Sequence, residues 1–150
     1  MRGRRRVLAL ALASALAACA TGPPGPAVLD PRNERCRFCH MAVSDPSTSG
    51  QVVAPAEEPL FFDDIGCLAS YLAGHPERRD GAVVYVADHR TKVWVDASRA
   101  VYTRVAGLET PMGSHLIAHA DAASRAADSV AQGGKTVTRQ EAFAAQGERR

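Results

Sequence analysis

Six consecutive residues, Cys36-Arg37-Phe38-Cys39-His40-Met41, bring together two thiols, an imidazole and a thioether. Three chemistries can use such a set. Thiolate and thioether sulfur are soft donors that select Cu(I). Cys36-x-x-Cys39-His40 also fits the C-x-x-C-H pattern of c-type haem attachment. A C-x-x-C pair can equally close a redox or structural disulfide. Zinc would need a fourth closed ligand beside Cys36, Cys39 and Cys67, and no second C-x-x-C lies at finger spacing.

A second soft donor lies far downstream. Met112 sits between Pro111 and Gly113 in Thr110-Pro111-Met112-Gly113-Ser114, an odd setting for a core methionine. If Thr110-Pro111 opens a helix, Met112, His115 and His119 fall at i, i+3 and i+7 and share a face. Cu(I) then accounts for the most residues, with Cys39 and Met41 as a thiolate–thioether pair and Met112 as a distant partner. The haem reading suits a largely helical cytochrome, whereas Val83–Val86 and Lys92–Val95 are β-forming runs. The disulfide reading leaves His40 and Met41 without a role.

Two sets of elements must position these donors. Gln51–Ala54 and Leu60–Phe62 read as strands. Asp63 or Asp64 caps a helix whose Ile65, Leu68, Ala69 and Leu72 form one apolar face, ending near Gly74. Val83–Val86, Lys92–Val95 and Tyr102–Val105 read as further strands, with Asp88-His89-Arg90 in a hairpin. Leu116, Ala120, Ala123, Ala127 and Val130 mark a second helix, stopped by Gly133-Gly134. Lys135–Val137 reads as an edge strand, and residues 139–150 as a frayed tail. The expected fold class is α+β, two small related strand-strand-helix units at about 34–79 and 80–138, together forming a domain over 34–138.

The chain opens with Arg2, Arg4, Arg5 and Arg6 and an apolar run from Val7 to Ala18, too short to span a bilayer. Leu16-Ala17-Ala18-Cys19 resembles a bacterial lipobox. Residues 1–18 are therefore read as a lipoprotein signal peptide, Cys19 as the lipid attachment site, and Pro/Gly-rich residues 19–33 as a flexible tether. This implies a lipid-anchored protein of the bacterial cell envelope, facing the periplasm. Without the four arginines the chain carries 14 basic against 16 acidic side chains, so no nucleic-acid surface is indicated.

Cys36-x-x-Cys39-x-Met41, Phe62-Asp63-Asp64-Ile65-Gly66-Cys67, Trp94-Val95-Asp96-Ala97 and Thr110-Pro111-Met112-Gly113-Ser114, in this order behind the lipobox, resemble the NosL family. The resemblance covers residues 34 to 137. These are copper-binding lipoprotein accessory proteins of nitrous oxide reductase. It implies two similar α+β halves and a non-enzymatic metallochaperone carrying Cu(I). The implied partners are the nitrous oxide reductase apoenzyme and an ABC-type membrane assembly complex. The expected ligands are Cys39, Met41 and Met112, completed by Cys36, His40 or His115, while Cys67 is read as packing. His40 departs from the family, which usually has glycine there.

Overall fold

A computed structural model describes residues 22–79 and 81–144. The signal peptide and Cys19 lie outside them. Four strands form the first sheet: β1 (Gly50–Val53), β2 (Leu60–Phe62), β3 (Val83–Ala87) and β4 (Trp94–Asp96), in the antiparallel order β2-β1-β3-β4. Valine, phenylalanine and tyrosine dominate them, as a half-buried pleated surface favours. The second sheet holds β5 (Val101–Arg104), β6 (Leu116–His119) and β7 (Lys135–Val137), in the order β6-β5-β7. The α+β class is as the sequence predicted.

Helix α1 (Ile65–Gly74) packs onto the first sheet. Its cap is Asp64, whose Oδ1 accepts the Gly66 N–H at 2.6 Å. Ile65, Leu68 and Leu72 are all buried with Phe62, Val52 and Val86. Each contributes about 1.5–3 kcal/mol by leaving water. A Cβ on Gly50 would stand 2.6 Å from Leu68 Cδ2, so glycine is what lets the helix approach β1 this closely. The same core takes Tyr102 and Leu116 from the second sheet and Ala142 from α4 (Arg139–Ala144), so both sheets share it.

Several elements differ from expectation. Instead of one helix from Thr110, the chain makes turns over 110–113, then β6, then two short helices, α2 (Ala122–Ala126) and α3 (Ser129–Gln132). All four β6 residues are buried against β5, and this two-sided burial overrides the helical spacing of Leu116 and Ala120. Strands β3 and β4, read as opening a second unit, join the first sheet instead, β3 pairing with β1 and β4 with β3, so the sheets divide between Asp96 and Val101 rather than at residue 79. Of the tail read as frayed from 139, the described residues form α4, with Phe143 edge-on to Tyr102, and the rest lies outside them. Part of the tether is pinned: Gln51 braces Ala27 through both its N–H and carbonyl, and the Tyr85 hydroxyl donates to the Pro24 carbonyl. No helix among the described residues is long and apolar enough to cross a membrane.

Two buried carboxylates close the seam between the sheets. Asp88 accepts from the Arg90 and Thr91 amides, the Ala120 amide and the Ser124 hydroxyl, joining the β3–β4 turn to the end of β6 and to α2. Asp128 caps α3 through Oδ1, while its Oδ2 accepts from His89 Nδ1 at 2.6 Å and His119 Nε2 at 2.9 Å. Burial opposes ionisation of both acids, and the hydrogen bonds overcome it. Ser124, Ala120 and Thr91 hold Asp88 well below the usual range; His119, His89 and Val130 hold Asp128 at about 2. An unfolded aspartate titrates near 3.9, so Asp128 stabilises the fold fully above about pH 4 and loses this as pH falls toward 2. We expect urea midpoints to fall steeply below pH 4, and Asp128→Asn to lower the neutral midpoint and flatten the acid limb. An unchanged acid limb would remove Asp128 from this role.

Candidate metal centre

Residues 35–42 form a small hairpin set over the N-terminus of α1. Arg35 bridges Ala42, Cys36 N–H donates to the Met41 carbonyl at 2.8 Å, and His40 N–H to the Cys36 carbonyl at 3.0 Å. Arg37 N–H donates to the Phe61 carbonyl, which ties the hairpin to β2. The two-residue spacer keeps both thiols on one side of a tight turn. Below it, Asp63 comes just before the cap of α1 and Cys67 lies in the first turn of that helix.

Together these elements make one cluster. The sulfurs of Cys36, Cys39 and Cys67 and a carboxylate oxygen of Asp63 all lie within 4.8 Å of one another. The Cys39 thiol donates to Asp63 Oδ2 at 3.2 Å. All three cysteines are free thiols; Cys36 and Cys67 are buried and Cys39 is half-buried. Asp63 is buried too, and its Oδ1 has no hydrogen-bond partner.

The cluster holds its protons unequally. The Cys67 S–H donates to Cys36, and the Cys39 and Asp63 amides point at the same sulfur, so the Cys36 thiol is pulled down to about 6 despite burial. Burial pushes Cys39 up to about 12, reinforced by its bond to Asp63. Its proton-donating bond to Cys36, together with burial, pushes Cys67 up strongly. Negative charge is thus most favoured on the Cys36 sulfur, and its protonated neighbours must release protons to ligate a metal.

The donor set fits a soft cation. Three sulfurs suit Cu(I), and three sulfurs with a carboxylate also meet the ligand count of a closed zinc site. Haem attachment fits poorly, because Cys36 is only 1% exposed and packs against Cys67, leaving no open face at that sulfur.

The expected site residues are distributed as follows. Cys36 and Cys39 are in the cluster, and Met41 follows it, 43% exposed. His40 is exposed, with φ +65°. That left-handed backbone favours glycine, and histidine is among the side chains that tolerate it. Met112 is 47% exposed, and its N–H donates to Asp64 Oδ2 at 3.0 Å. His115 lies outside β6 with φ +58°, and its Nδ1 bonds the Leu108 carbonyl at 2.6 Å. His119 is buried on Asp128, so the shared helical face of Met112, His115 and His119 does not exist.

Two cluster members escaped the sequence reading. Cys67 was expected to pack, which it does, and its sulfur also completes the thiol group. Asp63 was read only as a helix cap, a role that Asp64 fills. Their place on either side of the helix cap in Asp63-Asp64-Ile65-Gly66-Cys67 was the available signal.

A second group, His89, His119 and Asp128, also gathers possible ligand atoms. Because the carboxylate only accepts, both imidazole nitrogens facing it carry protons. A metal at His119 Nε2 would move its proton to Nδ1, which is buried without an acceptor. The resulting unpaired donor costs about 1–3 kcal/mol, so the trio is better served as a hydrogen-bonded clamp.

The fold and site thus define an α+β protein with a thiol-rich metal-binding group gripped between a tight hairpin and a helix N-terminus. The sequence pattern of the NosL family matches residues 28–145, and the chain belongs to that family. NosL is a copper-binding accessory family, and the cysteine cluster gives this chain the soft donors that copper-related work requires. A search of curated proteins finds no match to the chain.

Two substitutions check the geometry. Cys67→Ser should weaken metal binding by at least the roughly 10–100-fold that even an outer partner is worth. Unaltered affinity in a metal titration would return Cys67 to packing alone. His40→Gly should leave metal binding unchanged and raise stability by up to about 1 kcal/mol as the left-handed strain is relieved. A loss of affinity would make His40 a ligand.

Proposed function

We propose that this chain is a Cu(I) carrier that delivers copper to nitrous oxide reductase during its maturation. The observation that supports it best is the gradient of sulfur donors. Buried Cys36 and Cys67 lie beneath half-buried Cys39, and exposed Met41 ends the same hairpin. A carrier must hold its cargo against loss and still release it. Buried thiols supply the hold, and surface thioethers allow an acceptor's ligands to enter as the donor's leave.

In this reading Cys39 is the thiolate anchor, Cys36 is the sulfur on which charge is most favoured, and Met41 and Met112 contact the cargo from the solvent side. The amides directed at the Cys36 sulfur stabilise its charge before the ion arrives. The reading extends to a lipid on Cys19, a place at the periplasmic face of the cell envelope, and an ABC-type membrane assembly complex as a further partner. A lipid would confine the search for such a complex to the membrane surface.

A structural zinc site is the second reading, favoured by the three-thiol, one-carboxylate set. Competition separates them. Reduced protein spanning residues 22–150 should take one Cu(I) from a chromophoric chelator and keep it in the presence of excess Zn(II). Cys39→Ser should abolish retention, and cells carrying this variant should make a copper-deficient reductase. Zn(II) displacing Cu(I) would overturn the carrier reading in favour of the zinc one.

A further inference from the structure

Resting on the Cu(I)-carrier reading, we infer that Asp64 is a positioning residue that holds the Met112 thioether to the cysteine side of the site. The inference starts from how many bonds this one carboxylate makes. An N-cap needs a single oxygen, and Oδ1 meets that need at Gly66. Oδ2 is free of the cap and reaches across to the other half of the fold. It accepts the Thr110 hydroxyl at 2.7 Å and the Met112 N–H at 3.0 Å. Asp64 is fully buried, so no water competes for these bonds.

The adjacent Asp63 faces the thiols. Asp64 follows it directly, in extended backbone with φ −140° and ψ 139°. Consecutive carboxylates thus receive the Cys39 thiol and the Met112 amide, which ties the hairpin and the Met112 loop to neighbouring residues of the chain. With both oxygens occupied, Asp64 acts through Met112 and not on the ion itself.

The loop is shaped to be held at this point. Gly113 N–H donates to the Thr110 carbonyl, Thr110 Oγ1 accepts the His115 N–H, and Ser114 Oγ accepts the Leu116 N–H. Gly113 and His115 both have positive φ, at +66° and +58°. These turns keep the backbone compact and present the Met112 side chain outward, 47% exposed, from an anchored amide. Free of this anchor, a methionine with three rotatable bonds on a surface loop would search a wide volume before meeting the ion.

Four proteins test the inference: wild type, Asp64→Asn, Met112→Ala and the double variant. Cu(I) affinity is read by chelator competition, sulfur coordination by X-ray absorption at the copper edge, and stability by urea. Asn keeps a carbonyl for the cap but presents an amide where the two-donor acceptor stood. Met112→Ala should weaken Cu(I) binding by about 10–100-fold and remove one copper–sulfur contact. Asp64→Asn should do the same, and the double variant should bind no more weakly than Met112→Ala alone. Thr110→Val, which removes one bond to Oδ2 and spares the cap, should give a smaller loss and keeps the test available if Asp64→Asn does not fold. Wild-type sulfur coordination and affinity in Asp64→Asn, or losses that add in the double variant, would overturn the inference and leave the carrier reading standing. Failure of the wild type to bind Cu(I) would overturn both.

Discussion

Asp63 and Asp64 are consecutive buried acids at the start of one helix, and the rest of the structure is arranged so that both can be there. A buried carboxylate is costly unless its oxygens are occupied. Asp64 meets this fully, through the Gly66 amide, the Thr110 hydroxyl and the Met112 amide. Asp63 does not: one oxygen takes the Cys39 thiol and the other has no partner. The incompletely satisfied acid is the one that belongs to the metal cluster, and the satisfied acid builds the scaffold beside it. A cation arriving at the cluster would meet charge that the folded protein has gathered but left only partly compensated.

That placement depends on the packing under it. The N-terminus of α1 is fixed because Gly50 lets Leu68 settle against β1, and because Ile65 and Leu72 bury with Phe62 and Val86. The hairpin above is fixed through the Arg37–Phe61 bond to β2, the strand that leads into Asp63. Cys36 and Cys39 are thus tied to the chain just before the helix, where Asp63 lies, and Cys67 is in the helix's first turn. The sulfurs gather with few degrees of freedom, as pre-organised ligation requires. The loop between β5 and β6 is tied to Asp64 through Thr110 and Met112, and the Asp88 and Asp128 bonds hold the β3–β4 turn, β6 and the short helices in place.

Much of this could be read from the sequence, and what could not has a physical cause. Strands β1 to β3 and helix α1 were legible because apolar periodicity, a capping Asp and Gly74 all point the same way. The hairpin thiols were legible from spacing. The 110–132 region was not, because Leu116, Ala120 and Ala123 satisfy a helical spacing by accident. β6 is set instead by long-range pairing with β5 and burial on both sides, which local spacing does not report. The grouping of strands failed for the same reason, since β3 pairs with β1 across the length of α1. The place of Cys67 in the thiol cluster was not legible, because a cysteine on an apolar helical face looks like core until its neighbour in space, Cys36, is known.

His40 shows how one position can mislead locally and inform structurally. In the sequence it converts a metal-binding loop into an apparent haem motif. In the fold its ring is exposed and its backbone is left-handed. The hairpin needs that conformation so that the chain can turn between the Cys39 sulfur and Met41, whose amide bonds the sulfur. Glycine, usual at this place in the family, adopts it without strain; histidine adopts it at some cost. The position thus supplies the hairpin with a backbone geometry, and the exposed imidazole is carried on that turn.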